Sequence, residues 1–270
     1  MSYSKITLFC LSVFLPFFFI GCDVISEDNR KITIEQDSII GKDSVFVKRV
    51  LLLDFTDQSC PNCPKAGAVV EQLKQTYDTL FIPVTIHASR NNLPLVTPEG
   101  NVYDIHFGFR TAGHPASVID GRFDSSFSNN FYLWSGIVSE QLKQTAVLGI
   151  YLSLEYDAEN REIHISSDLL ARQTLNNPKL LVWIIEDNVI DKQLVDATII
   201  SDYHHRHIFR ASVNEAWGEA VDLPVDQTKT VKYNYTLNEK WKTQDISIIV
   251  FVYNADTDEV YGVNEIKLSE

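Results

Sequence analysis

Two apolar runs, with a cysteine pair and a helical periodicity between them, set the strongest constraint on this chain. "VFVKRVLLLDF" (residues 45–55) passes from alternation into a continuous apolar run, the pattern of a strand buried on both faces. "DQSCPNC" follows. In "PKAGAVVEQLKQTYDTL" the residues Ala66, Val69, Val70, Leu73 and Tyr77 recur at spacings of three and four, which predicts a helix from near Cys60 to about Asp78. "FIPVTIHAS" (81–89) is a second apolar strand. A β-α-β order requires a parallel pair of strands, so Cys60, Cys63 and His87 are expected together at the carboxyl edge of one sheet.

Beyond that unit, a loop-rich stretch (90–113) leads to "HPASVIDGRFD", with a short strand at residues 116–119, and "FYLWSGIVSEQLKQ" reads as a closing helix. Past Ala146 the texture changes to β-rich segments such as "VLGIYLSLEYD", "KLLVWIIED" and "DISIIVFVYN", with turn residues at 157–160 and 254–258. The expected organisation is an α/β domain over 45–146 and an antiparallel, immunoglobulin-like β-sandwich over 147–270. With 270 residues, the chain is long enough for either one or two such domains.

The first residues read as an address rather than as fold. After Lys5, residues 6–20 are apolar, too short to span a bilayer, and Gly21-Cys22 ends the run. This end resembles a bacterial lipobox, with residues 1–21 as signal peptide and acyl chains on Cys22 as membrane anchor. The acid-rich stretch 22–44 then reads as a tether, with Ile32-Thr33-Ile34 open to being an edge strand. A formal charge of −13 and no Lys/Arg cluster exclude nucleic acid as the expected partner. Of four cysteines, Cys10 leaves with the signal and Cys22 takes lipid, so Cys60 and Cys63 remain alone in an oxidising compartment.

Three readings of that pair are open. As a staple it closes a loop of about four residues and contributes roughly 2 kcal/mol, little for a chain of this size. As a metal site it supplies two of the usual four ligands, and histidines would have to complete it. As a redox pair it sits where a helix start stabilises a thiolate, with Pro61 and Pro64 tolerated because first-turn N–H groups have no intrahelical partner. Cys60 would then attack and the more sheltered Cys63 would resolve the mixed disulfide, with protein thiols or disulfides as partners and no cofactor or metal.

"VLLLDFTDQSCPNC" resembles the active-site strand and helix start of the thioredoxin superfamily. The resemblance implies a thioredoxin-like domain over 45–146, with Asp54 beneath the pair assisting proton transfer at Cys63. It also implies that His114-Pro115 forms a cis-proline turn facing the disulfide. Ser59, where an aromatic residue is usual, and the Pro-Asn dipeptide depart from thioredoxin itself. A narrower resemblance joins the lipobox, "KRVLLLDFTDQSCPNCPKA", "TPEGNVYD", "GHPASVIDGR" and "YHHRHIFRASVNEAWGE". Together they resemble the twenty-eight-kilodalton outer-membrane lipoprotein family of Gram-negative bacteria, implying a lipid-anchored protein of the outer membrane.

Each remaining residue has a plain reading beside the functional one. His87 and His114 could tune the thiols or be satisfied polar groups at element ends. His204, His205 and His207 could ligate a metal, although a solvated surface cluster is the expected role. The four tryptophans are expected in the core. The favoured function is a lipid-anchored thiol-disulfide oxidoreductase of the envelope. The alternative is a surface binding or assembly scaffold whose disulfide is only structural.

Overall fold

A computed structural model of the protein describes residues 31–35 and 46–268. The expected signal peptide, Cys22 and most of the expected tether lie outside the described residues. One piece of the tether is described. Strand β1 (Lys31–Glu35) pairs antiparallel with β5 (Leu148–Asp157), so Ile32 to Ile34 do form an edge strand.

The β-α-β unit follows the sequence pattern closely. β2 (Val50–Thr56) and β3 (Phe81–His87) are parallel neighbours in register Asp54 to Thr85 and Thr56 to His87, and α1 (Cys63–Tyr77) connects them. β2 is buried along its whole length. Val50 and Leu52 point into a core under α1, built with Ala66, Val70, Leu73, Trp134 and Val138. Leu51, Leu53 and Phe55 point the other way, into a core shared with Tyr103 of α2 (Pro98–His106). Asp54 therefore occupies the next position on the α1 face of the strand, where every earlier residue is apolar. Short α3 (Phe109–Ala112), β4 (Ala116–Ile119), antiparallel to β2, and α4 (Trp134–Leu142) complete this half.

The second half contributes β5, β6 (Glu162–Ala171), β7 (Pro178–Glu186), β8 (Val189–Val195), β9 (Thr198–His205), β10 (Ile208–Ser212), β11 (Glu219–Ala220), β12 (Thr228–Thr236), β13 (Ile246–Asn254) and β14 (Val260–Lys267). β1-β5-β6-β12 form one sheet. It packs through Leu152, Leu154, Ile163 and Ile165 on Val182, Ile184, Ile248 and Val250 of the other sheet, a face-to-face apolar core as in a β-sandwich.

The second sheet of that sandwich does not stop at the expected boundary. Its order is β14-β13-β7-β10-β3-β2-β4, with β11 beside β7, so strands from beyond residue 147 are hydrogen-bonded to the β-α-β unit. The joint is short. β10 meets β3 in parallel at Ile208 and Thr85, and Thr85 N–H donates to the His207 carbonyl at 2.7 Å. β7 shows how the halves share their interior, because its residues alternate between two cores: Leu180, Val182 and Ile184 face the sandwich, while Leu181, Trp183 and Ile185 join the core of Leu51 and Phe55. The change of texture at residue 147 marks a change of local structure that neither the sheet nor that core follows.

Candidate functional site

The cysteine loop leaves the end of β2 and enters α1. Cys60 and Cys63 are joined by a disulfide, with Cα atoms 5.5 Å apart. The helix begins at Cys63, with Asn62 at its N-cap and Pro64 in its first turn. The expected start near Cys60 is thus three residues early, because Pro61 and Asn62 form a turn, and Cys63 is the first helical residue. The Cys63 N–H donates to Cys60 Sγ at 3.1 Å. Once the bond is reduced, that amide and the positive end of α1 would favour a thiolate at Cys60. Cys60 is partly exposed and Cys63 is buried.

Behind Cys63 lies a cavity of about 290 Å³, lined by Cys63, Asp54, Thr85, His87, Gln193 and His205 among others. Asp54 is 3 % exposed and its Oδ1 has no hydrogen-bond partner. Burial pushes its carboxyl up to about 7. His87 is equally buried, both ring nitrogens lack partners, and burial holds it well below the ordinary histidine value, with smaller contributions from His205, Arg210 and His114. Its ring stands edge-on to that of His205, with centroids 5.1 Å apart.

His114 and Pro115 stand on the other side of β2. The His114-Pro115 peptide is cis. The β2–β4 register, Phe55 opposite Ala116, sets Pro115 level with Thr56, where the cysteine loop departs. His114 Nε2 bonds Asp104 Oδ1 at 2.7 Å, and Arg110 Nε donates to Asp104 Oδ2 at 2.5 Å. The structure thus gathers Asp54, Cys63 and His87 around one cavity and fixes His114 in a separate ion cluster.

Three histidines expected as a solvated cluster are dispersed instead. His204 is exposed. His205 turns into the cysteine cavity, and His207 contacts Glu71 of α1 and Asp187 at 3.1 and 3.3 Å. The surface reading fails for His205 and His207 because the corner from β9 to β10 packs against α1 and β3. Among the described residues no group of three or more His, Cys, Asp or Glu side chains is arranged to hold a metal ion.

Two residues that sequence reasoning did not single out brace the cysteine loop. Gln58 donates its amide to the Lys192 carbonyl at 2.8 Å and accepts from Leu95 N–H at 3.3 Å. Gln193 donates to the carbonyls of Cys60 and Asp57 at 3.1 and 3.3 Å. Backbone bonds from Leu194 to Gln58 and from Asp196 to Pro61, with the Lys65–Asp196 ion pair, extend the contact. The β8–β9 hairpin of the second half is therefore a strap along the loop. Neither Gln58 nor β8 carries a sequence signal of this contact, because the burial of Gln58 and its partner strand are set only by the tertiary fold.

The family model for outer membrane protein Omp28 matches residues 103–270. The chain belongs to the Omp28 family. The matched span contains β4, the cis peptide and the whole strap, whereas Cys60 and Cys63 precede it. Over 74 residues, 27% of this Omp28 chain and 69% of the relative, it is 36% identical to a probable thioredoxin of Archaeoglobus fulgidus. Among solved structures it resembles HBP35 of Porphyromonas gingivalis, with a TM-score of 0.70 and 16% identity over 83% of this chain and 76% of that one. A protein from Agrobacterium tumefaciens gives 0.51, also at 16% identity, over 83% of this chain and 96% of that one. At those identities the likeness is one of fold. Among the described residues no helix is long and apolar enough to cross a membrane.

Proposed function

We propose that this Omp28-family protein is a thiol-disulfide oxidoreductase of the cell envelope, with a thioredoxin-like unit around Cys60 and Cys63. The observation that carries the reading is the asymmetry of the pair. Cys60 is accessible with its sulfur on the first amide of α1, and Cys63 is buried over the cavity that holds Asp54, whose Oδ1 has no hydrogen-bond partner. The cis His114-Pro115 turn and the 36% identity to a probable thioredoxin support it. In the reduced protein the Cys60 thiolate attacks a partner disulfide, forming the Cys60–partner bond and releasing one partner thiolate. Cys63 then gives its proton to Asp54, and its sulfur bonds to Cys60. The partner's second sulfur leaves with the electron pair and takes a proton from solvent; the partner is reduced and the protein oxidised. Run backwards, the same steps oxidise a partner dithiol.

Replacing Cys63 with Ser should trap mixed disulfides on Cys60 that a nonreducing gel resolves. A Cys63→Ser protein that traps no more than Cys60→Ser would sink the assignment. The apolar run before Gly21-Cys22 supports acylation at Cys22 as the lipid anchor of this outer-membrane family member. Mass spectrometry of the amino-terminal peptide should find acyl chains on Cys22, and an unmodified thiol there would remove the anchor.

The strap favours a second reading, in which the braced loop and its disulfide are a scaffold for a partner. Tyr132 and Ile199, 76 % and 68 % exposed, supply apolar surface for such a partner. That reading requires the double Cys60→Ser, Cys63→Ser variant to bind its partner unchanged.

A further inference from the structure

Four buried polar atoms around the cysteine cavity lack a partner: Asp54 Oδ1, both nitrogens of His87, and His205 Nε2. Unpaired buried polar atoms destabilise a fold, so a cluster of four at one place points to a use. The strap brings His205 there from more than a hundred residues away, and its orientation is specific. The backbone of Lys192 and Asp191 lies beside the ring and favours its protonated form, and Nε2 is buried with no hydrogen-bond partner. With the ring's proton at Nδ1, the Nε2 lone pair is free to accept.

We propose that His205 is a proton-relay residue for the cysteine pair, taking at Nε2 the proton that Asp54 receives from Cys63 and returning it toward solvent at the cavity mouth. This rests on the oxidoreductase reading above. During resolution the S–H bond of Cys63 breaks and its proton passes to the Asp54 carboxylate, while the Cys60–Cys63 bond forms and the partner thiolate leaves. Asp54 must then lose that proton before the next cycle, and its buried carboxyl has no partner of its own to take it.

Burial disfavours the charged form of both groups: it raises the Asp54 carboxyl to about 7 and lowers the His205 imidazole from its ordinary value, so His205 holds the proton only in passing and does not trap it. His87, held well below the ordinary range, stays neutral beside His205 and stores no charge. Other groups around the cluster set its field. Glu71 lines the cavity from α1, Tyr203 from β9 and Arg206 from the corner between β9 and β10. Asp191 acts on His205 from β8, and Arg210 of β10 acts on both His87 and His205. His114 acts on His87 from before β4.

The test uses full-length reduced protein in detergent, mixed with glutathione disulfide and acid-quenched for mass spectrometry. It separates Cys60–glutathione formation from its resolution across pH 5 to 9. In the wild type, resolution should accelerate through about pH 7 as Asp54 ionises. In His205→Ala, attack by Cys60 should be unchanged and resolution slowed about tenfold or more, with the pH profile displaced and added imidazole restoring the rate. An unchanged profile, or a loss that imidazole does not restore, overturns the relay. Should His205→Ala fail to fold, His205→Gln keeps a polar side chain that cannot carry the proton, and an unchanged profile there is equally decisive against it. A wild type that forms no mixed disulfide overturns the oxidoreductase reading and the relay with it, a result distinct from a working wild type matched by its variant.

Discussion

Asp54 and Asp104 are both buried carboxylates with histidines nearby, and they are treated in opposite ways. Asp104 has both oxygens engaged, by His114 and Arg110, and those partners hold it below the usual carboxylate range against the effect of burial. Asp54 sits among neutral imidazoles, has an oxygen with no partner, and is pushed up to about 7. The first arrangement fixes structure: it pins α2, α3 and the turn before β4 to one another. The second sacrifices stability to keep a proton exchangeable beside Cys63, as expected of a working site.

The largest test of this contrast removes the strained member. Unfolded, Asp54 ionises near the ordinary value of about 4; folded, it keeps its proton until about 7, so stability falls as pH rises between those values. Asp54→Asn should therefore raise stability by up to about 4 kcal/mol at pH 8 and by almost nothing at pH 4, read from urea midpoints at both. Equal midpoints at pH 8 would mean that Asp54 is not penalised.

The paired member should respond in the opposite sense. Asp104→Ala removes the carboxylate shared by Arg110 and His114 and should cost about 3 kcal/mol at neutral pH. Because the folded value is depressed, the contribution of Asp104 is present above the ordinary carboxylate range and is lost only as pH falls below about 4. Urea midpoints for wild type and Asp104→Ala that differ equally at pH 7 and pH 3 would break the comparison.

A smaller effect is expected at His87. Its folded value is depressed, so the unfolded chain takes up a proton near pH 6.5 that the folded protein refuses, and stability falls as pH drops through that point. His87→Phe should remove that slope and gain about 1 kcal/mol at pH 5.5; thermal melts at pH 5.5 and 7.5 that shift by the same amount would argue against it. The smallest change belongs to the strap. Gln193→Leu leaves the Cys60 and Asp57 carbonyls without the amide and should cost about 1 kcal/mol, while hydrogen exchange of the loop amides at residues 58–63 speeds up. Unchanged exchange would show that the hairpin does not brace the loop.

How much of this was legible depended on where the information lies. The strand, cysteine loop, helix and strand of the β-α-β unit were readable because each is encoded by its own residues, and the buried acid ending an apolar run stood out at Asp54. The insertion of β10 beside β3 was not, since a strand's partner is not written in the strand, and a single register pair joins the two. His204-His205-Arg206-His207 reads as solvated by composition. Only the corner against α1 and β3 decides that His205 and His207 are inside and His204 is out.

The strap also orders events in time. Cys60 and Gln193 are separated by 133 positions, so the ribosome delivers the cysteine pair long before the hairpin that will hold it. Until that hairpin folds against the loop, the thiols are open on every side, so an oxidant in the envelope reaches them more readily before the strap closes than after it. A chain that ends before β8 would carry the motif without its brace, and a fragment of that kind would misreport the chemistry of the whole.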